Sequence, residues 1–267
     1  MQIHDVDLSR IRPELIRDDD AMFLLVTSAS FVESGSDTYT GNLLERFDGD
    51  DEVGGWLRDH WEPEELRHGG MLKAYVQHVW PELDWDAAYA GFFADYSKVC
   101  TLQDLEPTRG QELAARCVVE MGTTVYYQAL HDACQEPVLR DLTWRIRGDE
   151  VQHYKHFYAF FLKYRQVENL GRFRVLASLT RRALELRSED AKIALRHAAA
   201  WRLRQGSGRD TSESVGGLAR QAYRLVNRHV PMELAVRMLL KPLQLRPRIQ
   251  RAVMAPLATL GHRIVLR

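Results

Sequence analysis

Two short stretches constrain this chain more than anything else in it. WEPEELRHGGML at 61–72 and RGDEVQHYKHF at 147–157 each carry Glu-x-x-His, as Glu65/His68 and Glu150/His153. Residues i and i+3 share one face of an α-helix, so each pair aims a carboxylate and an imidazole the same way. Alone the spacing says little, because 18 Glu and 10 His in 267 residues produce it roughly once by chance. A glutamate upstream of each pair gives the pattern weight: Glu33 lies 32 residues before Glu65, and Glu120 lies 30 before Glu150. At a rise of 1.5 Å per residue, about 30 residues let a helix run roughly 20 Å past a level, turn, and return to it. The spacing predicts two helical hairpins, with Glu33 facing Glu65 and Glu120 facing Glu150. Packed antiparallel, they would bring four carboxylates and two imidazoles to one depth.

The rest of the chain agrees with an all-α fold. Helix formers dominate, and no stretch alternates with the period of two that a half-buried strand requires. Four long helices are expected at about 21–47, 52–80, 108–134 and 137–164. Pro81 follows the second, and Pro107 and Pro137 suit helix starts. A long crossover between the second and third helices, holding the apolar piece AAYAGFF, is the mark of a ferritin-like four-helix bundle. Beyond Tyr164, further helices are expected at about 169–187, 189–204, 215–229 and 232–266, the last interrupted by Pro242 and Pro247. QGSGRDTSES at 205–214 reads as a mobile loop.

Charge divides the chain. Residues 1–164 hold 15 Lys+Arg against 30 Asp+Glu, and residues 165–267 hold 21 against 7. The expected organisation is an acidic bundle domain over 1–164 with a basic helical extension over 165–267. The arginine excess admits three readings: a solvated surface, a docking patch for an acidic partner or anionic membrane, or, least favoured, an RNA-binding surface. Cys100, Cys117 and Cys134 fit buried free thiols better than a disulfide framework, being odd in number. The first 20 residues lack the apolar core of a secretory signal and no run reaches 18 apolar residues, so a cytoplasmic location is expected.

Four carboxylates gathered without counter-charge would repel one another and take up protons, whereas two divalent cations cancel four negative charges. Mixed carboxylate and imidazole donors suit iron or manganese better than calcium. The expected metal ligands are therefore Glu33, Glu65, His68, Glu120, Glu150 and His153, with Glu65 and Glu150 bridging two Fe ions and Mn as the other candidate.

These residues resemble a known family, the soluble acyl-carrier-protein desaturases of the ferritin-like superfamily. WEPEELRHGGML is similar to that family's Trp-x-x-Glu-Glu-x-Arg-His-Gly motif at Trp61, Glu64, Glu65, Arg67, His68 and Gly69. ESGSDTY at 33–39, EMGT at 120–123 and DEVQH at 149–153 are similar to its other ligand segments. The resemblance spans roughly residues 20–160. It implies a non-haem di-iron enzyme that oxidises an aliphatic, fatty-acyl substrate with O2. A ferredoxin-like donor would supply electrons and an acyl carrier protein would present the substrate; a homodimer is a further expectation. It further implies that Thr123 relays a proton at the oxygen-binding face and that Asp149 accepts a hydrogen bond from a ligand imidazole, His68 being the expected one.

Departures from the family pattern set further expectations. Pro63 should kink the second helix or begin a new segment, and the Ser/Gly/Thr-rich stretch around Glu33 weakens the first. Ile146 stands where the amine-oxidising branch carries a histidine. The ligand spacing is also close to that of aldehyde-deformylating oxygenases. A di-iron hydroxylase of another substrate, including tRNA, and a ferritin-like iron-binding or structural protein without redox chemistry are the alternatives. Tyr126, Tyr127, Tyr154, Phe157 and Phe160 are expected mostly in the core, with Tyr127 the best candidate to line an apolar pocket.

Overall fold

The computed structural model describes residues 6–185, 189–205 and 211–265, and all the regular structure among them is helical, with no strand. The chain forms two compact units whose sequences interleave. One takes Met1–Asp104, Cys134–Leu142 and Ser188–Leu225; the other takes Leu105–Ala133, Thr143–Arg187 and Val226–Arg267. The first unit carries 16 Lys+Arg against 28 Asp+Glu, the second 20 against 9.

At the centre of the first unit is α1 (Asp20–Ser34), capped by Asp19, whose carboxylate accepts from the Met22 N–H at 3.0 Å. Residues 21–31 of this helix are all buried, which is the pattern of a helix covered on every side. It packs against α4 (Glu62–Val79) and α9 (Glu189–Gln205). The first helix expected from the sequence is in fact two: α1 stops at Ser34, and α2 (Ser36–Arg46) follows after Gly35. Ser-Gly-Ser is a weak helical stretch, and the Gly35 N–H turns inward to Phe31 O and Val32 O at 3.2 and 3.1 Å.

The serines that lower propensity in α1 have found partners on α5 (Trp85–Tyr96), which is the apolar piece of the crossover. Trp85 Nε1 donates to Ser30 Oγ at 2.9 Å, and the Tyr89 hydroxyl donates to the Ser34 carbonyl at 2.9 Å. Phe31 sits among Trp85, Tyr89 and Phe92, with ring centroids 5.5–6.1 Å away. Part of the C-terminal arginine excess also ends here, for Arg202 pairs with Asp20 at 2.7 Å and Arg196 with Asp95 at 2.9 Å.

The second expected helix runs without interruption over 51–79, as α3 (Asp51–Trp56), a π turn at Leu57–Trp61, and α4. Near Pro137 the chain behaves as the proline suggests. It opens α7 (Pro137–Val167), whose first turn is capped by buried Glu136 through the Leu139 N–H at 2.7 Å, with the Tyr75 hydroxyl donating to the same oxygen at 2.8 Å.

The second unit is built on α6 (Arg109–Ala133), flanked by α8 (Arg172–Glu185) and α11 (Met232–Leu240). Buried Glu106 fastens α8 by accepting from Ser178 Oγ at 2.9 Å and Arg181 Nε at 2.9 Å. The expected last helix is divided at its prolines into α11, a 3₁₀ turn at Lys241–Leu243 and α12 (Pro247–Val265). Of the loop expected at 205–214, residues 206–210 lie outside the described ones, and α10 (Thr211–His229) already begins within it. All three cysteines are free thiols, and burial pushes that of Cys134 up to about 12. No helix among the described residues is long and apolar enough to cross a membrane.

Candidate metal centre

Each unit contains one buried Glu-Glu-His triad. In the first, Glu33 stands on the last turn of α1, while Glu65 and His68 stand on the first two turns of α4. Their ligand atoms lie within 4.8 Å of one another. His68 Nδ1 is 3.8 Å from Glu33 Oε2, beyond hydrogen-bonding range but close enough for both atoms to share one cation.

Two backbone features set this triad. Pro63 has no N–H to give to the preceding turn, and the chain meets that loss with the π turn just before it. The Glu62 N–H bonds Leu57 O, a ring one residue wider than the α-helical one, and φ/ψ remain right-handed helical at 56, 57, 61 and 62. Pro63 is thus carried within a continuous helix, directly after the widened turn. The other feature is Gly69. A Cβ there would stand 2.6–2.9 Å from Ser34 Oγ, N and Cα, so α1 and α4 meet backbone to backbone beside Glu33 and His68. Gly69→Ala should force the helices apart and cost about 1–3 kcal/mol in chemical denaturation, with weakened metal uptake by the same triad.

In the second unit Glu120 stands on α6, and Glu150 and His153 on α7, again with ligand atoms within 4.8 Å of one another. His153 Nδ1 is 3.6 Å from Glu120 Oε2 and 4.0 Å from Glu150 Oε1. Exposure is 1% for each of these three residues, so water does little to screen their charges.

Thr123, one turn after Glu120, is half-buried, and its hydroxyl donates to Glu150 Oε2 at 2.5 Å. It therefore orients the carboxylate of a candidate ligand, holding one of its lone pairs. Asp149 is half-buried on α7, adjacent in sequence to Glu150.

One member of the site escaped sequence reasoning. Arg116 is buried one turn before Glu120; its Nη2 donates to Glu120 Oε1 at 2.7 Å, and its guanidinium lies 5.3 Å from the Phe157 ring. The only signal was Arg-x-x-x-Glu, a spacing common on solvated helices. Burial alone would raise the Glu120 pKa, but Arg116 and His153 outweigh it and hold the carboxyl below its ordinary range.

No protein-family model and no curated protein matches the chain. The chemistry of the donors therefore carries the reading. With neutral imidazole, each triad brings two negative charges, which one divalent cation neutralises. Two carboxylates and one nitrogen suit iron or manganese. These buried Glu/His groups could hold metal ions. Around the second triad Tyr127, Tyr154, Phe157 and Phe160 are buried, and Tyr126 is half-buried. The Tyr154 hydroxyl donates to Met238 O at 2.7 Å, fixing α7 to α11.

Proposed function

We propose that the two triads together form one dinuclear iron centre of ferritin-like type, and that the protein is an O2-dependent oxidase of an aliphatic, fatty-acyl substrate. The observation carrying this reading is the pair of buried triads with the same composition, Glu33/Glu65/His68 and Glu120/Glu150/His153. Three donors leave a first-row ion short of its usual four to six. If Glu65 and Glu150 each bridged, both ions would gain a donor without any further residue. Manganese would fit the same donors.

When bound, the iron pair would supply O2 activation and the oxidising power to remove hydrogen from a C–H bond. The chain supplies the rest. Thr123 holds Glu150 by its hydroxyl and on this reading relays a proton at the oxygen-binding face. Arg116 neutralises part of the charge on Glu120, and the aromatic residues of α6 and α7 exclude water. The motifs at 61–72 and 149–153 favour the desaturase-like reading over iron storage, and on that reading Asp149 orients a ligand imidazole. Electrons would come from a ferredoxin-like donor and the acyl chain from a carrier protein.

Anaerobic iron loading followed by O2 and a panel of acyl carrier thioesters tests the proposal. The expected result is about two irons per chain, a chromophore that bleaches on reduction, and products lacking two hydrogens or gaining one oxygen. Iron uptake without any change in the thioesters would overturn the acyl-oxidase reading, and failure to take up iron would overturn the centre itself.

A further inference from the structure

Independently of the metal assignment, we infer that the second unit docks on anionic phospholipid bilayers through the outer face of α8. The inner face of this helix, Val175, Ser178 and Leu179, is buried in its own unit. On the opposite face stand Phe173, Leu176 and Leu184, exposed by 89%, 46% and 75%. Val167, at the end of α7 just before, is 83% exposed. At 100° per residue, Phe173, Leu176, Thr180 and Leu184 fall on one stripe, and from Phe173 to Leu184 it runs roughly 16 Å. A row of large apolar side chains open to water over three turns has a cost in solution, and it marks an interaction surface.

Its borders indicate the partner. Arg172 lies along one edge of the stripe and Arg174 along the other, both exposed, with Arg172 also donating to the Leu243 and Gln244 carbonyls at 3.1 Å; Arg181, beside Arg174, is engaged by Glu106. The unit as a whole has 20 Lys+Arg against 9 Asp+Glu. Apolar side chains flanked by exposed arginine on a basic unit match a bilayer surface, where lipid phosphates meet the cationic side chains and acyl chains receive the phenyl and leucyl groups. Nucleic acid would answer the arginines but offer nothing to Leu176, Leu184 and Val167. The composition recurs on α12 of the same unit, where Ile249, Leu257 and Leu260 are exposed alongside Arg248 and Arg251. Because α8 is already folded against α6, docking carries no cost of ordering a disordered segment.

The test is vesicle flotation of the full chain with phosphatidylcholine vesicles, with and without phosphatidylglycerol. The wild type should float with the anionic vesicles only, less so as salt rises. Phe173→Ser combined with Leu184→Ser should weaken binding by at least about tenfold, since both side chains leave the acyl region. Arg174→Gln should weaken it less and flatten the salt dependence. Unchanged circular dichroism would show that these surface variants remain folded. The inference is overturned if the wild type stays behind with anionic vesicles, or if the double variant floats as well as the wild type. It is equally overturned if the double substitution instead abolishes self-association or RNA binding while vesicle binding is absent.

Discussion

Glu150→Ala should strip the iron-loaded protein of both ions, leaving well under one per chain, while Glu33→Ala should spare a larger share. The difference follows from the proposed roles. A bridging carboxylate serves two cations at once, so its removal deprives each of a donor and leaves their charges facing one another unshielded. A terminal carboxylate serves one. Were the triads independent single-ion sites, either substitution would remove about one ion and leave the other triad filled. Iron per chain by elemental analysis, compared between the two variants, decides between the two arrangements. Thr123→Val provides a control, because Glu150 loses an orienting hydrogen bond at 2.5 Å but no donor atom. Its iron content should hold while the rate of oxidation falls.

Arg116→Leu should produce the largest loss of stability in the metal-free protein, on the order of 3 kcal/mol. The substitution strands the Glu120 carboxylate in a place with 1% exposure, and an unpaired buried charge costs more than the ion pair ever contributed. Metal should reverse much of the loss, since a cation bound to Glu120 takes over as counter-charge. Acid should narrow it too. Glu120 is held below the ordinary value of 4.5, so its contribution to wild-type stability is complete above that pH and drains away as pH falls through the folded value. In the variant, burial pushes the same group upward, and protonation relieves it. Denaturant midpoints for the two proteins, with and without manganese and across pH 3–7, measure all three effects. A gap that metal and acid leave unchanged would mean that Arg116 acts only by packing on Phe157.

Much of the helical plan was legible because the sequence carries its punctuation openly. Pro137 and the caps at Asp19 and Asp50 act locally, and each starts a helix within a residue or two of where composition alone puts it. The six candidate ligands were legible from spacing because helical rise is constant. What sequence could not show depends on partners far away along the chain. The Ser-Gly-Ser stretch foreshadowed a weak point at Gly35, but not the partners of its serines: α5 supplies Trp85 to Ser30 and Tyr89 to the Ser34 carbonyl, contacts 55 residues apart. The π turn was foreshadowed by Pro63, but its form was not, since a proline can equally kink or end a helix. Arg116 was hidden for a different reason: its importance comes from burial, and an arginine four residues before a glutamate looks the same in water as in a core.

The meeting of α1 with α9 bears on the order in which the molecule matures. Phe23 rests against Trp201, with ring centroids 5.6 Å apart, and the Arg202 guanidinium lies 5.0 Å from the same phenyl ring. Contacts across so long a stretch of chain are closed late and slow the search for the native state. On a ribosome, the emerging α1 must keep an oily flank bare while the 167 residues from Gly35 to Trp201 are added behind it. A chaperone has its opening there, in the interval before Trp201 arrives.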